Sequence, residues 1–265
     1  MSDTLASMIL KVSECLRGLR YSTSTLSTVS TLVDSVMVDE PDHFFKGGTI
    51  FFLSGALVGK TAVITEFSES TGTFTFDTQL SAPGTGVLYA VSQAMYPREL
   101  IIAVINKALS SIGPFPNIYE DPLFITVANQ ESYALPTGIS NVKKVFIASN
   151  TSSPYNWQEN TGWFENNGSI YFDMEQPATA DMRIRLYYEL FPATLDSDTD
   201  AIYYGVHPDL IMWTAAHYAT LIRSGVSENS EPFTKEMVTF TQQKMQECSK
   251  YLPKHWQKAS RPSGW

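Results

Sequence analysis

Between residues 131 and 225, short alternating segments run straight into one long apolar helix, and this order restricts what the chain can become. ESYALPTGISNVKKVFIASN, WFENNGSIYFDM and DMRIRLYYELFPATL read as strands: β-branched and aromatic residues alternate with polar ones, and Pro, Gly and Asn mark the breaks. HPDLIMWTAAHYATLIRSG follows, with Pro208 and Asp209 in its first turn and Gly225 at its end. Leu210, Ile211, Trp213, Ala215, Ala216, Tyr218, Leu221 and Ile222 occupy almost the whole circumference of this helix. A helix that is apolar all round is covered by neighbours on every side. Strands in one block and helices in others make the expected class α+β, with this helix as the central rod of a helical bundle.

Three further helices are expected. The first runs from about Thr4 to Leu19, with Leu5, Met8, Ile9, Val12 and Leu16 on one face. PRELIIAVINKALSSIG places Pro97 where its missing N–H costs nothing and stops at Gly113 and Pro114. Its buried stripe is Ile101, Val104, Ile105, Ala108 and Ile112, with Glu99, Asn106, Lys107 and Ser110 outside. The last spans about Glu231 to Tyr251, capped by Ser230 and ending before Pro253, with Phe233, Met237, Phe240, Met245 and Cys248 inward. YSTSTLSTVST reads as a linker, and the Pro-rich stretch after Gly113 as an irregular loop.

From Thr28 to Gln93 the pattern becomes short apolar runs broken by glycine: GGTIFFLSG, GKTAVITEFSESTG, TFTFDTQL and GVLYAVS. About five strands in so short a span suggest a small antiparallel barrel or sandwich. The expected organisation is an N-terminal helix and linker (1–27), an inserted β module (28–95), a body of helices and β-hairpins (96–250) and a basic C-terminal tail (251–265).

No motif for chemistry holds up against its physical requirements. SGALVGKT, Ser54 to Thr61, ends like a phosphate-binding loop, but Ser54 replaces the first glycine. The following TAVITEF alternates like a strand where phosphate binding needs a helix N-terminus, so a hairpin turn is expected. Asp196, Asp198 and Asp200 have EF-hand spacing, yet Ala201 and His207 stand where glycine and a bidentate glutamate are required. The expected form is a solvated acidic turn leading to the apolar helix, free to face a neighbouring subunit. His43, His207, His217 and His255 lie in separate segments, and His217, on the apolar helix, reads as a core histidine. The carboxylate pairs Asp39 with Glu40 and Glu120 with Asp121 name no reaction. Cys15 and Cys248 read as reduced thiols, without zinc spacing. No cofactor or metal is expected, and the chain is not expected to be an enzyme.

Net charge is −9, unevenly spread. SKYLPKHWQKASRPSGW (249–265) carries four basic residues and no acid, which leaves 14 basic against 27 acidic groups in the rest. An acidic body is a poor surface for duplex DNA, whose phosphates need a basic stripe. Tryptophans on a basic tail favour burial by a partner. Asp3, Lys11, Glu14 and Arg17 interrupt any signal-peptide core, and no apolar run reaches membrane-spanning length, so a non-secreted product is expected without a membrane partner. The sequons at Asn150 and Asn167 are then without consequence.

Residues Tyr96 to about Gln246 resemble the head–tail connector, or adaptor, proteins of tailed bacteriophages, including the podophage tail-tubular-A type. The elements that carry the resemblance are PRELIIAVINKAL, a strand with ESYALPTGISNVKKV, a tryptophan-bearing hairpin around Trp157 and Trp163, RIRLYYELFPATLDSDTD, and an alanine-rich helix. The β module between the first two helices departs from the simpler adaptors. The resemblance implies a structural virion protein at the neck, made in the host cytoplasm. It would form a homo-oligomeric, usually twelve-fold, ring beneath the portal protein, with a tail nozzle, stopper or tail-tube protein below. DNA would pass through the lumen and take part in ejection without sequence-specific contacts. Family adaptors send a C-terminal segment to the portal; here that segment would present Lys250, Lys254, Trp256, Lys258, Arg261 and Trp265.

Two other classes stay open. A virion binding or decoration module could recognise carbohydrate or a host receptor through the β module, with Phe44, Phe45, Phe51 and Tyr89 as platforms, although packing in the module's interior is the plainer fate of those rings. An enzyme would need groups that meet only in space.

Overall fold

The computed structural model describes residues 3–16, 18–172, 180–202, 206–226 and 232–251. The protein is a mixed α+β molecule with four helices and antiparallel sheets among the described residues, in two compact units: residues 1–111 with 193–252, and residues 112–192.

In the first unit, α1 (Leu5–Cys15) is capped by Thr4, whose hydroxyl accepts from the Ser7 amide while the Ser7 hydroxyl accepts from the Thr4 amide. This reciprocal pairing satisfies two donors that a helix start leaves open. Leu5, Met8, Ile9 and Val12 form its fully buried face, as the spacing predicts. In α2 (Arg98–Ile112) Ile101, Val104, Ile105, Ala108, Leu109 and Ile112 are buried. Helix α3 (Pro208–Val226) packs against both α1 and α4 (Pro232–Cys248). It is covered almost all round through Thr220. Its next turn is open, however, with Leu221 and Ile222 each 40 % exposed, so the all-round burial expected from composition stops one turn early. On α4, Met237, Thr241 and Cys248 are buried; the proposed cap Ser230 and the Phe233 side chain lie outside the described residues.

The β-rich part of this unit is a seven-stranded antiparallel sheet. Its strands are β1 (Leu19–Thr23), β2 (Leu26–Ser27), β3 (Thr31–Val33), β4 (Thr49–Phe52), β5 (Thr61–Ser68), β6 (Thr73–Phe76) and β7 (Leu88–Ser92), in spatial order β1-β7-β4-β5-β6-β3-β2. The segment read as a linker is therefore strand. Its threonines suit a pleated surface, and its partners, residues 88–92 and 73–75, are too distant in sequence to leave a local sign. The edge strands β1 and β2 are consecutive in the chain, separated only by Ser24 and Thr25, so the sheet curls until its two edges approach. Ser24 N–H donates to the Val87 carbonyl on one side and Thr25 N–H to the Val33 carbonyl on the other. β1 and β2 do not pair with each other, and the ladder is not a closed barrel. Phe45, Phe52, Phe67, Phe74, Phe76 and Tyr89 fill the concave side, mostly in edge-to-face contacts with centroids 4.8–5.7 Å apart. Between β5 and β6, Gly72 adopts a left-handed backbone (φ 59°) against the Asp34 carbonyl, where a Cβ would lie 2.0 Å from that oxygen.

The second unit is two sheets around one core. One has the order β11-β10-β14-β8, from β8 (Phe115–Ile125), β10 (Val142–Ala148), β11 (Trp157–Asn160) and β14 (Arg183–Leu190). The other is β12-β13-β9, from β9 (Ser132–Ala134), β12 (Trp163–Asn166) and β13 (Ser169–Phe172). Tyr133, Trp163, Ile170 and Phe172 of the smaller sheet meet Val142, Val145, Ile184, Leu186 and Tyr188 of the larger. The Glu165 carboxylate ties the sheets together by accepting from the amides of Asn141 and Val142.

Two expectations are corrected here. The Pro-rich stretch after Gly113 is not an irregular loop but the eleven-residue strand β8. Pro116 and Pro122 are tolerated because β8 is an edge, where a missing donor breaks no ladder. Trp157 and Trp163 are not on one hairpin either: β11 joins the larger sheet and β12 the smaller. The hairpin that does exist links β12 to β13 through Asn167 (φ 47°) and Gly168 (φ 72°), the backbone such a two-residue turn demands.

Candidate functional site

Of the residues assigned to the docking tail, Lys250 sits exposed in a short 3-10 turn (Ser249–Tyr251) after α4. Lys254, Trp256, Lys258, Arg261 and Trp265 lie outside the described residues, as does His255.

The candidate carbohydrate platforms are core residues. Phe45, Phe51 and Tyr89 are at most 2 % exposed, and Phe44 is half-buried beneath the Arg20 guanidinium, 5.7 Å from its ring centroid. The Tyr89 hydroxyl donates to the buried Asp34 carboxylate at 2.7 Å, and burial together with that bond holds its pKa far above the ordinary tyrosine range. Ser54 to Thr61 is the β4–β5 connection, with Gly55 (φ 81°) and Gly59 (φ 78°) in left-handed backbone and Thr61 opening a strand, as its alternation predicts. Among the described residues no three His, Cys, Asp or Glu side chains converge as metal ligands. Cys15 and Cys248 are free thiols; burial, then Glu14 and Asp209, push Cys15 up to about 12, so it is an inert thiol at neutral pH. His217 is 8 % exposed, with Nδ1 3.3 Å from the Thr241 hydroxyl, and burial lowers its pKa; it is the core histidine expected.

The acidic segment 196–200 is a turn with Asp196, Ser197 and Thr199 exposed, as expected, but Asp198 is drawn into the fold. The Asp198 carboxylate, only 13 % exposed, accepts from the Thr61 amide (3.0 Å), the Thr61 hydroxyl (2.9 Å) and Arg98 Nη2 (2.7 Å), while Arg98 Nε donates to the Thr61 hydroxyl (2.9 Å). One side chain thus ties the start of β5 to the first residue of α2. The same segment holds α1, since the carbonyls of Asp200 and Asp198 accept from the Leu5 and Ala6 amides, and Thr4 forms a β-bridge with Ala201. Asp200 accepts from the amides of Asp196 and Ser197, and those bonds lower its pKa. The Asn106 side chain completes the anchor by bonding both the carbonyl and the amide of Leu195. The spacing of the aspartates marked this segment, but its partners lie 137 and 100 residues away, beyond any local pattern.

On the larger sheet of the second unit, cations and rings interleave. Arg185 lies 3.9 Å from the Trp157 centroid, Arg183 4.4 Å from Tyr155, and Phe146 meets Tyr187 at 4.9 Å. Glu120 neutralises Arg185, and Glu159 neutralises Lys144. Glu159 and Glu120 thus compensate two of these cations, so the face is not the uncompensated basic stripe that a nucleic acid selects. The β8 edge is also blocked: Asn117 and Asp121 side chains accept from the amides of Ile118 and Leu123, so donors that could recruit a foreign strand are occupied.

The first unit contains a cavity of about 290 Å³ at the carbonyl end of α1, with Ser13, Leu16, Arg20, Gln93, Met95 and Tyr96 in its wall. No sequence pattern pointed to it. No helix among the described residues is long and apolar enough to cross a membrane.

No family model matches this chain, and no curated protein matches it.

Proposed function

We propose that the protein is a structural head–tail adaptor of a tailed bacteriophage virion, not an enzyme. It would form a ring beneath the portal protein and line the channel by which DNA leaves the head. The supporting observation is the order of elements from α2 to α4. A long amphipathic helix, a strand-rich unit ending in the RIRLYYEL strand, and an apolar helix follow one another in the order that the resemblance implies, although Trp157 and Trp163 do not share its hairpin. In this reading the four helices form the subunit's bundle, and the curled seven-stranded sheet, open between β1 and β2, serves as the inserted β module. The acidic body fits a DNA channel, because a surface short of basic stripes lets phosphate pass without sticking. The blocked β8 edge fits a subunit that meets its copies through chosen surfaces and not by strand addition.

Residues 251–265, led by Lys250, are the portal-docking segment in this proposal. Deleting residues 252–265 is expected to abolish co-purification with the portal protein while leaving the circular dichroism spectrum unchanged. Undiminished portal binding by the truncated chain overturns the assignment of the tail; absence of rings both alone and with portal overturns the adaptor reading.

A further inference from the structure

The seven-stranded sheet ends at β1 in an edge whose backbone groups can be assigned one by one. Leu53 N–H donates to the Leu88 carbonyl, so Leu88 and Ala90 turn their backbone groups toward β4, and Tyr89 and Val91 turn theirs toward β1. The register sets Ser22 opposite Tyr89 and Arg20 opposite Val91, and Ser24 N–H donates to the Val87 carbonyl. Arg20, Ser22 and Ser24 therefore direct their backbone groups at β7, whereas Leu19, Tyr21 and Thr23 point theirs the other way. None of those three N–H groups or carbonyls has a hydrogen-bond partner among the described residues.

The next residue of this orientation does have one. Thr25 N–H donates to the Val33 carbonyl at 2.8 Å, at the end of β3. There Asp34 turns the chain away: its carboxylate accepts from the Val36 amide (2.9 Å) and its carbonyl from the Met37 amide (3.1 Å). The line that β3 occupies beside Thr25 is thus left without a strand beside Thr23, Tyr21 and Leu19. Tyr21 is 49 % exposed and Thr23 is exposed, so the edge is reachable from solvent.

Other edges of the chain are guarded. On β8 side chains occupy the amides of Ile118 and Leu123, and on β9 the Gln130 side chain donates to the Ser132 carbonyl at 2.7 Å. β1 has no proline, no lysine, no bulge and no side chain on its outward amides, the devices that ordinarily keep an edge from pairing. Its one charge, Arg20, is already paired with Glu40. Glu14, which accepts from the Tyr21 hydroxyl, and Asp39, beside Glu40, have no basic partner among the described residues, so the surroundings of the edge carry excess negative charge.

We propose that β1 is a docking edge for an extended basic segment of another protein. The segment adds as an eighth strand in the line of β3, antiparallel to β1, and bonds the N–H groups and carbonyls of Leu19, Tyr21 and Thr23. The site does not depend on the adaptor reading.

Amide-resolved NMR on the full chain, kept dilute, tests this with the synthetic strand Lys-Thr-Val-Thr-Val-Thr-Lys. It should bind with a Kd of about 1 mM, so that about 5 mM peptide slows exchange of the Leu19, Tyr21 and Thr23 amides about sixfold and leaves those of Arg20 and Ser22 unchanged. The peptide N-methylated at alternate residues keeps one clean edge and should still bind; methylated at every amide it should not. A Glu-flanked version should bind about fivefold more weakly. Tyr21→Pro removes an N–H that the fold does not use and should abolish binding with an unchanged circular dichroism spectrum; the methylated peptides decide the case should that variant unfold. The proposal is overturned if those three amides are unaffected at about 5 mM peptide. Binding of the fully methylated peptide, or preference for the Glu-flanked one, overturns it equally. Protection without peptide also does so: where it grows with protein concentration the occupant is a second copy, and where it vanishes on deleting residues 252–265 the occupant is the chain's own end.

Discussion

Replacing Asp198 by alanine tests how the first unit is tied together. The substitution removes three acceptor contacts at 2.7–3.0 Å, strands the Arg98 guanidinium at 20 % exposure and leaves the Thr61 amide without its partner. Breaking one side of a buried ion pair costs roughly 3–5 kcal/mol, and hydrogen bonds to charged groups contribute about 1.5–3 kcal/mol each. Because both side chains keep some contact with water, the lower end applies, about 3 kcal/mol. For a unit of this size that lowers the melting temperature by roughly 6–12 °C. Asp198→Asn keeps one acceptor oxygen without the charge and should cost about half as much. Thermal unfolding by circular dichroism gives the shift, and a double-mutant cycle with Arg98→Met gives the coupling, expected at about 1–3 kcal/mol. Deuterium uptake at residues 4–10 should also rise, because the backbone that caps α1 belongs to the same segment. A melting temperature within about 1 °C of wild type, or additive Asp198 and Arg98 effects, would refute the reasoning.

Gly72→Ala places a methyl group against the Asp34 carbonyl in a left-handed backbone and should cost at least about 2 kcal/mol in chemical denaturation, whereas Gly59→Ala, with open space around it, should cost less. His217 carries a depressed pKa in the fold, so the unfolded chain binds its proton first: stability is full above about pH 6.5 and falls as the pH drops below it. His217→Leu should flatten that part of the stability–pH curve, and an unchanged slope counts against burial as the cause. Asp121→Ala combined with Pro122→Val reopens the β8 edge and should raise concentration-dependent light scattering; equal scattering means that the edge was not being guarded.

How much of this was legible follows from the range of the interactions. The stripes of α1 and α2 were readable because a helix buries residues three and four apart, and α3 was readable through Thr220 for the same reason. Leu221 and Ile222 escaped because burial depends on which neighbours reach that turn, which no period of the helix itself records. β1 to β3 were hidden by serine and threonine, since the pairing that makes them strands comes from β6 and β7. β8 was hidden by Pro116 and Pro122, which argue against a central strand but not against an edge. Trp157 and Trp163 were placed on one hairpin by the resemblance, yet the chain crosses between them from one sheet to the other. Asp198 was expected in a solvated turn because its partners, Thr61 and Arg98, are too distant in sequence to leave a local sign. The cavity around Ser13 joins the end of α1 to the residues after β7 and has no local signature.

The adaptor proposal is tested most directly by electron microscopy of the full chain mixed with the portal protein of the same virus. A ring of this protein stacked coaxially under the portal, enclosing an open channel, is the predicted image. Portal particles without added density, while the chain is folded and in excess, would contradict it.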